Sequence, residues 1–210
     1  MIYSLCRFIL HCLYRILFRY EAVGLKHIPR RGAVLLCANH ISNWDPPLVG
    51  IPLERRVNFM AKQELFKIPL LAQLLRYLGA FPVKRGASDK RAIRTALSRL
   101  QEEKVVVIFP EGTRSKTGQL GKAFTGSGFL ALKEPCTVIP VAIIGPYRLF
   151  RKVKIVYGPP VSIDDLRSEK VTKQEATLAT ERIMNGIQRL LDQHQPKTSD
   201  HNGRSFGNGV

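Results

Sequence analysis

The chain has 210 residues, 45% of them hydrophobic and 23% charged. These proportions belong to one globular domain with a core of its own, which excludes disordered and collagen-like classes. Lys and Arg outnumber Asp and Glu by 33 to 16, a net charge of +17, so the expected partners are anionic: nucleic acid, anionic lipid or a phosphorylated substrate.

Residues 1–20 are mostly apolar, but Ser4, Arg7, His11, Arg15 and Arg19 recur every three or four positions. On a helix this is one narrow polar stripe. Arg7 and Arg15 leave no run near the roughly 20 apolar residues that a spanning helix needs, and no small-residue cleavage site marks a secretory leader. A helix lying in the membrane interface fits best, with apolar side chains in the acyl boundary and arginines at phosphate level. The alternative is a helix packed on the domain core.

From residue 21 onward, short apolar runs alternate with helical stretches. Residues 33–38, 57–61, 105–109, 138–144 and 153–156 read as strands, most of them apolar without a break, as suits strands covered on both faces. Residues 64–77, 88–103 and 124–132 read as helices, with Ser88 as N-cap of the second. The leucines of the first make it either a second lipid-facing helix or a core helix. Residues 172–194 read as a closing helix with Ile183, Ile187, Leu190 and Leu191 on one face. The alternation predicts an α/β fold: a three-layer α/β/α domain over residues 21–195 with a mostly parallel, mixed sheet. The amphipathic helix 1–20 precedes it, and a polar, glycine-rich tail, 196–210, follows and reads as disordered.

Cys6, Cys12, Cys37 and Cys136 are far apart and form no C-x-x-C pair. They read as free thiols in a reducing compartment, not as a zinc ribbon, a redox pair or a disulfide framework.

His40 ends the apolar run Ala33-Val34-Leu35-Leu36-Cys37-Ala38-Asn39, and Asp45 follows before two prolines. Pro46 suits the first turn of a helix with Asp45 as its N-cap. Along a straight element the two side chains would face apart; a strand-to-helix turn can bring them together. A carboxylate beside a histidine fixes its tautomer and stabilises the imidazolium, the arrangement of a general base. The plain alternative is a loop histidine next to a helix cap. A second polar turn, Glu111-Gly112-Thr113-Arg114, follows Pro110 at a strand's carboxyl end, where ligands bind in open α/β sheets. Gly112 permits close backbone approach. Arg114 can grip a phosphate bidentately. Glu111 can hold Arg114 or accept a substrate hydroxyl. A third site is Phe81-Pro82-Val83-Lys84-Arg85-Gly86, with two adjacent cations after an apolar run; its plain alternative is a solvated basic loop.

Taken together and in this order, these motifs resemble the bacterial 1-acylglycerol-3-phosphate (lysophosphatidic acid) acyltransferase family. The first block reads Asn39-His40-Ile41-Ser42-Asn43-Trp44-Asp45 and the second ends in Arg85. The third is Phe109-Pro110-Glu111-Gly112-Thr113-Arg114 and the fourth Val138-Ile139-Pro140-Val141-Ala142-Ile143. The resemblance covers residues 21–191. One departure is that many members carry Phe-Lys before a glycine just after the third block. Here the stretch is Ala123-Phe124-Thr125-Gly126, and the nearest cation is Lys122.

The resemblance implies transfer of an acyl group from acyl-CoA or acyl carrier protein to the sn-2 hydroxyl of lysophosphatidic acid, giving phosphatidic acid. Another lysophospholipid or glycerol 3-phosphate is the alternative acceptor. It implies His40 as the base and Asp45 as the residue that orients it. Lys62, Arg85 and Arg114 would hold the acceptor phosphate, and Glu111, Gly112 and Thr113 would line its site. It implies no cofactor, no metal and no nucleic acid, with the cytoplasmic face of the cell membrane as the place of work, by peripheral or monotopic attachment. A hydrolase reading lacks the G-x-S-x-G elbow, since Thr125 and Phe129 flank Ser127. A P-loop reading fails at Lys116, where a glycine is required. A nucleic-acid-binding module would gather its cations on one tail or helix beside a stacking surface, and this chain does not.

Overall fold

The computed structural model describes residues 2–84 and 89–195. Its centre is a seven-stranded sheet. The strands are β1 (Glu21–Val23), β2 (Val34–Ala38), β3 (Val57–Lys62), β4 (Ala80–Val83), β5 (Val105–Ile108), β6 (Thr137–Ile144) and β7 (Lys154–Tyr157). They lie in the order β1-β7-β6-β2-β5-β3-β4. Every neighbouring pair is parallel except β6 and β7. This is the mixed, mostly parallel sheet that the alternating pattern predicts.

The central strands β2 and β5 are buried along their whole length. Their residues alternate between two cores. Leu35, Cys37, Val106 and Ile108 join α4 (Lys90–Gln101), α5 (Gly126–Lys133) and α6 (Lys173–His194) on one face. Val34, Leu36, Ala38, Val105 and Val107 join α1 (Ile2–Phe18) and α2 (Asp45–Gly50) on the other. Cover on both faces is why these strands read as unbroken apolar runs. Cys37 lies inside this sheet, and burial raises its thiol pKa far above the ordinary value; all four cysteines are free.

Helices α5 and α6 cross closely at Gly128, where a Cβ would stand 2.0 Å from the Ala176 carbonyl oxygen. The Thr180 hydroxyl accepts the Gly128 N–H at 3.1 Å and donates to the Ala176 carbonyl at 2.8 Å. Ser127 is buried against the same hydroxyl at 3.4 Å, so it serves the helix crossing. A capping box between Thr172 and Glu175 starts α6.

Several elements depart from their sequence reading. The stretch 64–77 is not one helix but a 3-10 turn, Gln63–Lys67, followed by α3 (Pro69–Tyr77). Ile68 between them is extended, at φ −91° and ψ 110°, because a residue before proline is pushed out of the helical region. The stretch 124–132 becomes helical only from Gly126. β1 and β4 were not anticipated. Both are short edge strands, and Pro82 lies within β4, which only an edge tolerates. The expected cap Ser88 lies outside the described residues, as do Arg85 and the tail 196–210. Asp89 caps α4 instead, accepting the Arg91 and Ala92 N–H groups at 3.0 and 3.1 Å.

Helix α1 packs on the core along one face and leaves an apolar face exposed. Tyr14 and Phe18 are buried in the core, while Leu5, Phe8, Ile9, Leu13 and Ile16 face outward. The arginine stripe does not face away as a unit: Arg7 turns inward and donates to the Leu53 carbonyl.

The Asp89 cap generates a stability prediction. Hydrogen bonds from the backbone N–H of Lys84, then of Ala92 and Arg91, hold its carboxyl below the ordinary carboxylate range. A pKa depressed by folding gives stabilisation that is complete above the unfolded value of about 3.9 and lost as pH falls through the folded one. Asp89→Ala should cost ~1 kcal/mol in urea unfolding at neutral pH. The gap between variant and parent should close progressively in buffers below about pH 4.

Candidate active site

Four parallel strands, β2, β5, β3 and β4, lie side by side, so their carboxyl ends open on the same edge of the sheet. β2 leads into Asn39 and His40, and β5 into the turn 109–114. β3 ends at Lys62, which sits in register with Val83 at the end of β4. Topology alone therefore brings His40 and the turn 109–114 to the same edge as Lys62.

Asn39 extends the ladder with its side chain. Its Nδ2 donates to the Ile143 carbonyl at 2.9 Å, and its Oδ1 accepts the Ile143 N–H at 2.7 Å. His40 is then held from every side. Its N–H donates to Glu111 Oε1 at 2.9 Å, its carbonyl accepts the Ser115 N–H at 2.7 Å, and its ring stacks on Phe109 with centroids 4.2 Å apart. Nδ1 lies 2.7 Å from Asp45 Oδ2. That same oxygen accepts the N–H groups of Ile41 and Ser42, each at 2.7 Å. An ionised carboxylate only accepts, so a neutral ring facing it carries its proton on Nδ1 and keeps the lone pair on Nε2. Among the described residues Nε2 makes no hydrogen bond. Asp45 is fully buried, and His40 is only 4% exposed.

Asp45 is not the N-cap that the sequence reading expected. Trp44 occupies that position, and Asp45 is the first residue of α2, with its carboxylate turned back onto the loop. Two tyrosines pin this short helix. The Tyr14 hydroxyl donates to the Trp44 carbonyl at 2.9 Å, and the Tyr157 hydroxyl to the Val49 carbonyl at 2.8 Å. Burial raises the pKa of both phenols far above the ordinary value, so they remain donors. Phe18 packs edge-on against Trp44 on one side and Tyr147 on the other, with centroids 5.5 and 5.2 Å away.

Glu111 has a role the sequence reading did not assign. It is buried, and its second oxygen accepts the Gly121 N–H at 2.8 Å. With one oxygen on His40 and the other on Gly121, the carboxylate clamps two loops together. It neither pairs with Arg114 nor needs a substrate hydroxyl to satisfy it. Gly112 turns the chain at φ 64°, where a Cβ would also meet the Phe124 ring at 2.8 Å. Gly112, Thr113 and Arg114 are exposed at the edge. Lys62 is exposed too, 3.8 Å from Glu64. Sequence reasoning missed the tyrosines, Phe109 as a ring support and Gly121 as a clamp partner. Only Phe109 carried a local signal, being the first residue of the third motif.

A cleft of about 700 Å³ opens beside Ile41, with Gln119, Leu120, Ile144, Gln188 and Leu191 in its walls. Among the described residues no group of three or more His, Cys, Asp or Glu side chains is placed to hold a metal ion.

The family model described as Acyltransferase matches residues 19–144, a stretch that holds His40, Asp45 and the 109–114 turn. The chain belongs to the acyltransferase family. Among acyltransferases it is 30% identical to the 1-acyl-sn-glycerol-3-phosphate acyltransferase of Bacillus subtilis, over 80% of this chain and 87% of that one. It is 28% identical to the Streptococcus pneumoniae protein of the same name, over 74% of this chain and 60% of the relative. The chain thus spans less than two thirds of the pneumococcal acyltransferase. The crystal structure of the 1-acyl-sn-glycerophosphate acyltransferase of Thermotoga maritima superposes with a TM-score of 0.64 at 28% identity, covering 81% of this chain and 71% of that one.

The clamp can be tested apart from the chemistry. Glu111→Gln keeps the shape but turns an amide NH₂ toward one of two backbone N–H groups. Hydrogen bonds to a charged acceptor are worth roughly 1.5–3 kcal/mol, so the variant should lose about 2 kcal/mol in chemical denaturation.

Proposed function

We propose that this acyltransferase is a 1-acyl-sn-glycerol-3-phosphate O-acyltransferase. It moves an acyl group from acyl-CoA or acyl carrier protein to the sn-2 hydroxyl of lysophosphatidic acid and forms phosphatidic acid. The observation that carries the reading is a desolvated Asp45 carboxylate on His40 Nδ1 at a sheet edge that also presents exposed cations, in a chain whose relatives bear that name. Nε2 takes the proton of the acceptor hydroxyl as its oxygen attacks the thioester carbonyl. Asp45 keeps the ring in the required tautomer and stabilises the imidazolium. The tetrahedral intermediate collapses, the C–S bond breaks, and the imidazolium returns its proton to the departing thiolate. The acceptor hydroxyl is itself the nucleophile, so no acyl-enzyme is required. Arg114, Lys62 and Arg85 bind the acceptor phosphate as cations.

The membrane surface is the second part of the proposal. No helix of the described residues is long and apolar enough to cross a membrane. The outward face of α1 is apolar, as are Ile68, Leu70 and Leu74 at α3. Arg56 ties the two helices, lying over the rings of Tyr3 and Tyr77 and donating to the Tyr77 carbonyl. Two neighbouring apolar faces on a chain of charge +17 suit the interface of an anionic membrane.

Acyl transfer is measured in vesicles offering lysophosphatidic acid, other lysolipids or glycerol 3-phosphate with each donor. Product should appear with lysophosphatidic acid, and His40→Ala should lower turnover on the order of 10²- to 10⁴-fold while the protein stays folded. Product from a different acceptor alone would replace the substrate assignment. Arg114→Ala should mainly raise the acceptor KM, since a phosphate contact is made in ground and transition states alike. The double variant Phe8→Ser, Ile9→Ser should float less with anionic vesicles than the parent while its thermal stability changes little, because both side chains are mostly exposed in the fold.

A further inference from the structure

Among the described residues two buried side-chain polar atoms have no hydrogen-bond partner: Asp45 Oδ1 and the Tyr147 hydroxyl. One is an acceptor without a donor and the other a group that can donate. Each such atom is costly to leave unmet in the interior. They are neighbours. Burial raises the phenol's pKa far above its ordinary value, and the Asp45 charge and its capacity to accept a hydrogen bond raise it further. The phenol therefore stays protonated. Its ring is fixed by Phe18, edge-on at 5.2 Å. The remaining oxygen of the same carboxylate, Oδ2, is already filled by three donors.

We propose that Tyr147 is a positioning residue for the catalytic pair, its O–H donating to Asp45 Oδ1, the one carboxylate oxygen no backbone group reaches. The contact does two things. It stops the carboxylate from swinging away from His40, and it disperses part of the Asp45 charge so that less of it acts on the imidazole. Tyr147 thus sets how readily His40 accepts a proton, without touching substrate. The catalytic half of the inference rests on His40 being the base; the coupling of the three side chains does not.

The titratable groups around the pair come from every element packed on it. Glu111 from the β5 turn holds the His40 N–H. Tyr14 from α1 also feels the Asp45 charge, but its hydroxyl is committed to the Trp44 carbonyl. Tyr147 comes from the loop after β6.

The test is Tyr147→Phe, which keeps the ring and its packing. Without the donor, the undiluted Asp45 charge favours the imidazolium. In acyl-transfer assays kcat should fall about tenfold with the acceptor KM little changed, and the acid limb of the pH–rate profile should move to higher pH. Independently of activity, the His40 imidazole followed by NMR should titrate at higher pH in Tyr147→Phe than in the parent. An NMR titration that does not move overturns the proposal whatever the activity. So does a loss of kcat with an unmoved acid limb, which would mean packing alone. A moved titration in a parent that transfers no acyl group would uphold the coupling and remove the function instead.

Discussion

A carboxylate sealed from water must be met by donors, and the region around Asp45 is built to supply them. Two consecutive N–H groups and an imidazole N–H converge on one oxygen. That convergence sets the path of residues 40–45, and so the position of α2 and the direction of the His40 ring. Removing any one donor would leave a buried charge short of a partner, a larger cost than the bond it makes. Reactivity and local folding are the same interaction at this point.

Long-range contacts then hold the loop from outside. Asn39 copies the hydrogen bonding of a strand and fastens the end of β2 to β6. Glu111 staples the His40 N–H to Gly121 across the neighbouring loop. Phe109 supports the ring from one face, and Tyr14 and Tyr157 hold α2 from below. These groups come from α1, β5, β6 and β7, so the loop is a product of the whole domain. Its own short sequence would not order it.

What was legible follows the physics of each element. β2, β5 and β6 were plain because strands covered on both faces keep only apolar residues. β1 and β4 were hidden, being three and four residues long at edges, where packing imposes little pattern. The break at Ile68–Pro69 was marked by its proline, but the leucines around it read as one continuous helix. Within the site, His40 and Asp45 were readable because a turn between two local elements joins them. The clamp role of Glu111 and the placement of Tyr14 and Tyr147 depend on partners far along the chain, for which neighbouring residues carry no trace. The same distance explains the Asp45 error: its local setting before two prolines is that of a cap, and only the folded loop turns its carboxylate the other way.

Helix α1 has two faces that answer to different demands. Positions 5, 8, 9 and 16 are mostly exposed and need only be apolar, so they are open to drift among leucine, isoleucine, phenylalanine and methionine. Positions 14 and 18 form the back wall of the loop that carries Asp45, through a hydroxyl on the Trp44 carbonyl and a ring between Trp44 and Tyr147. The helix is therefore not an interchangeable attachment. A replacement of equal length and greasiness, grafted from an unrelated protein, would restore the surface but not the wall, unless it brought an aromatic hydroxyl and a second ring one turn apart.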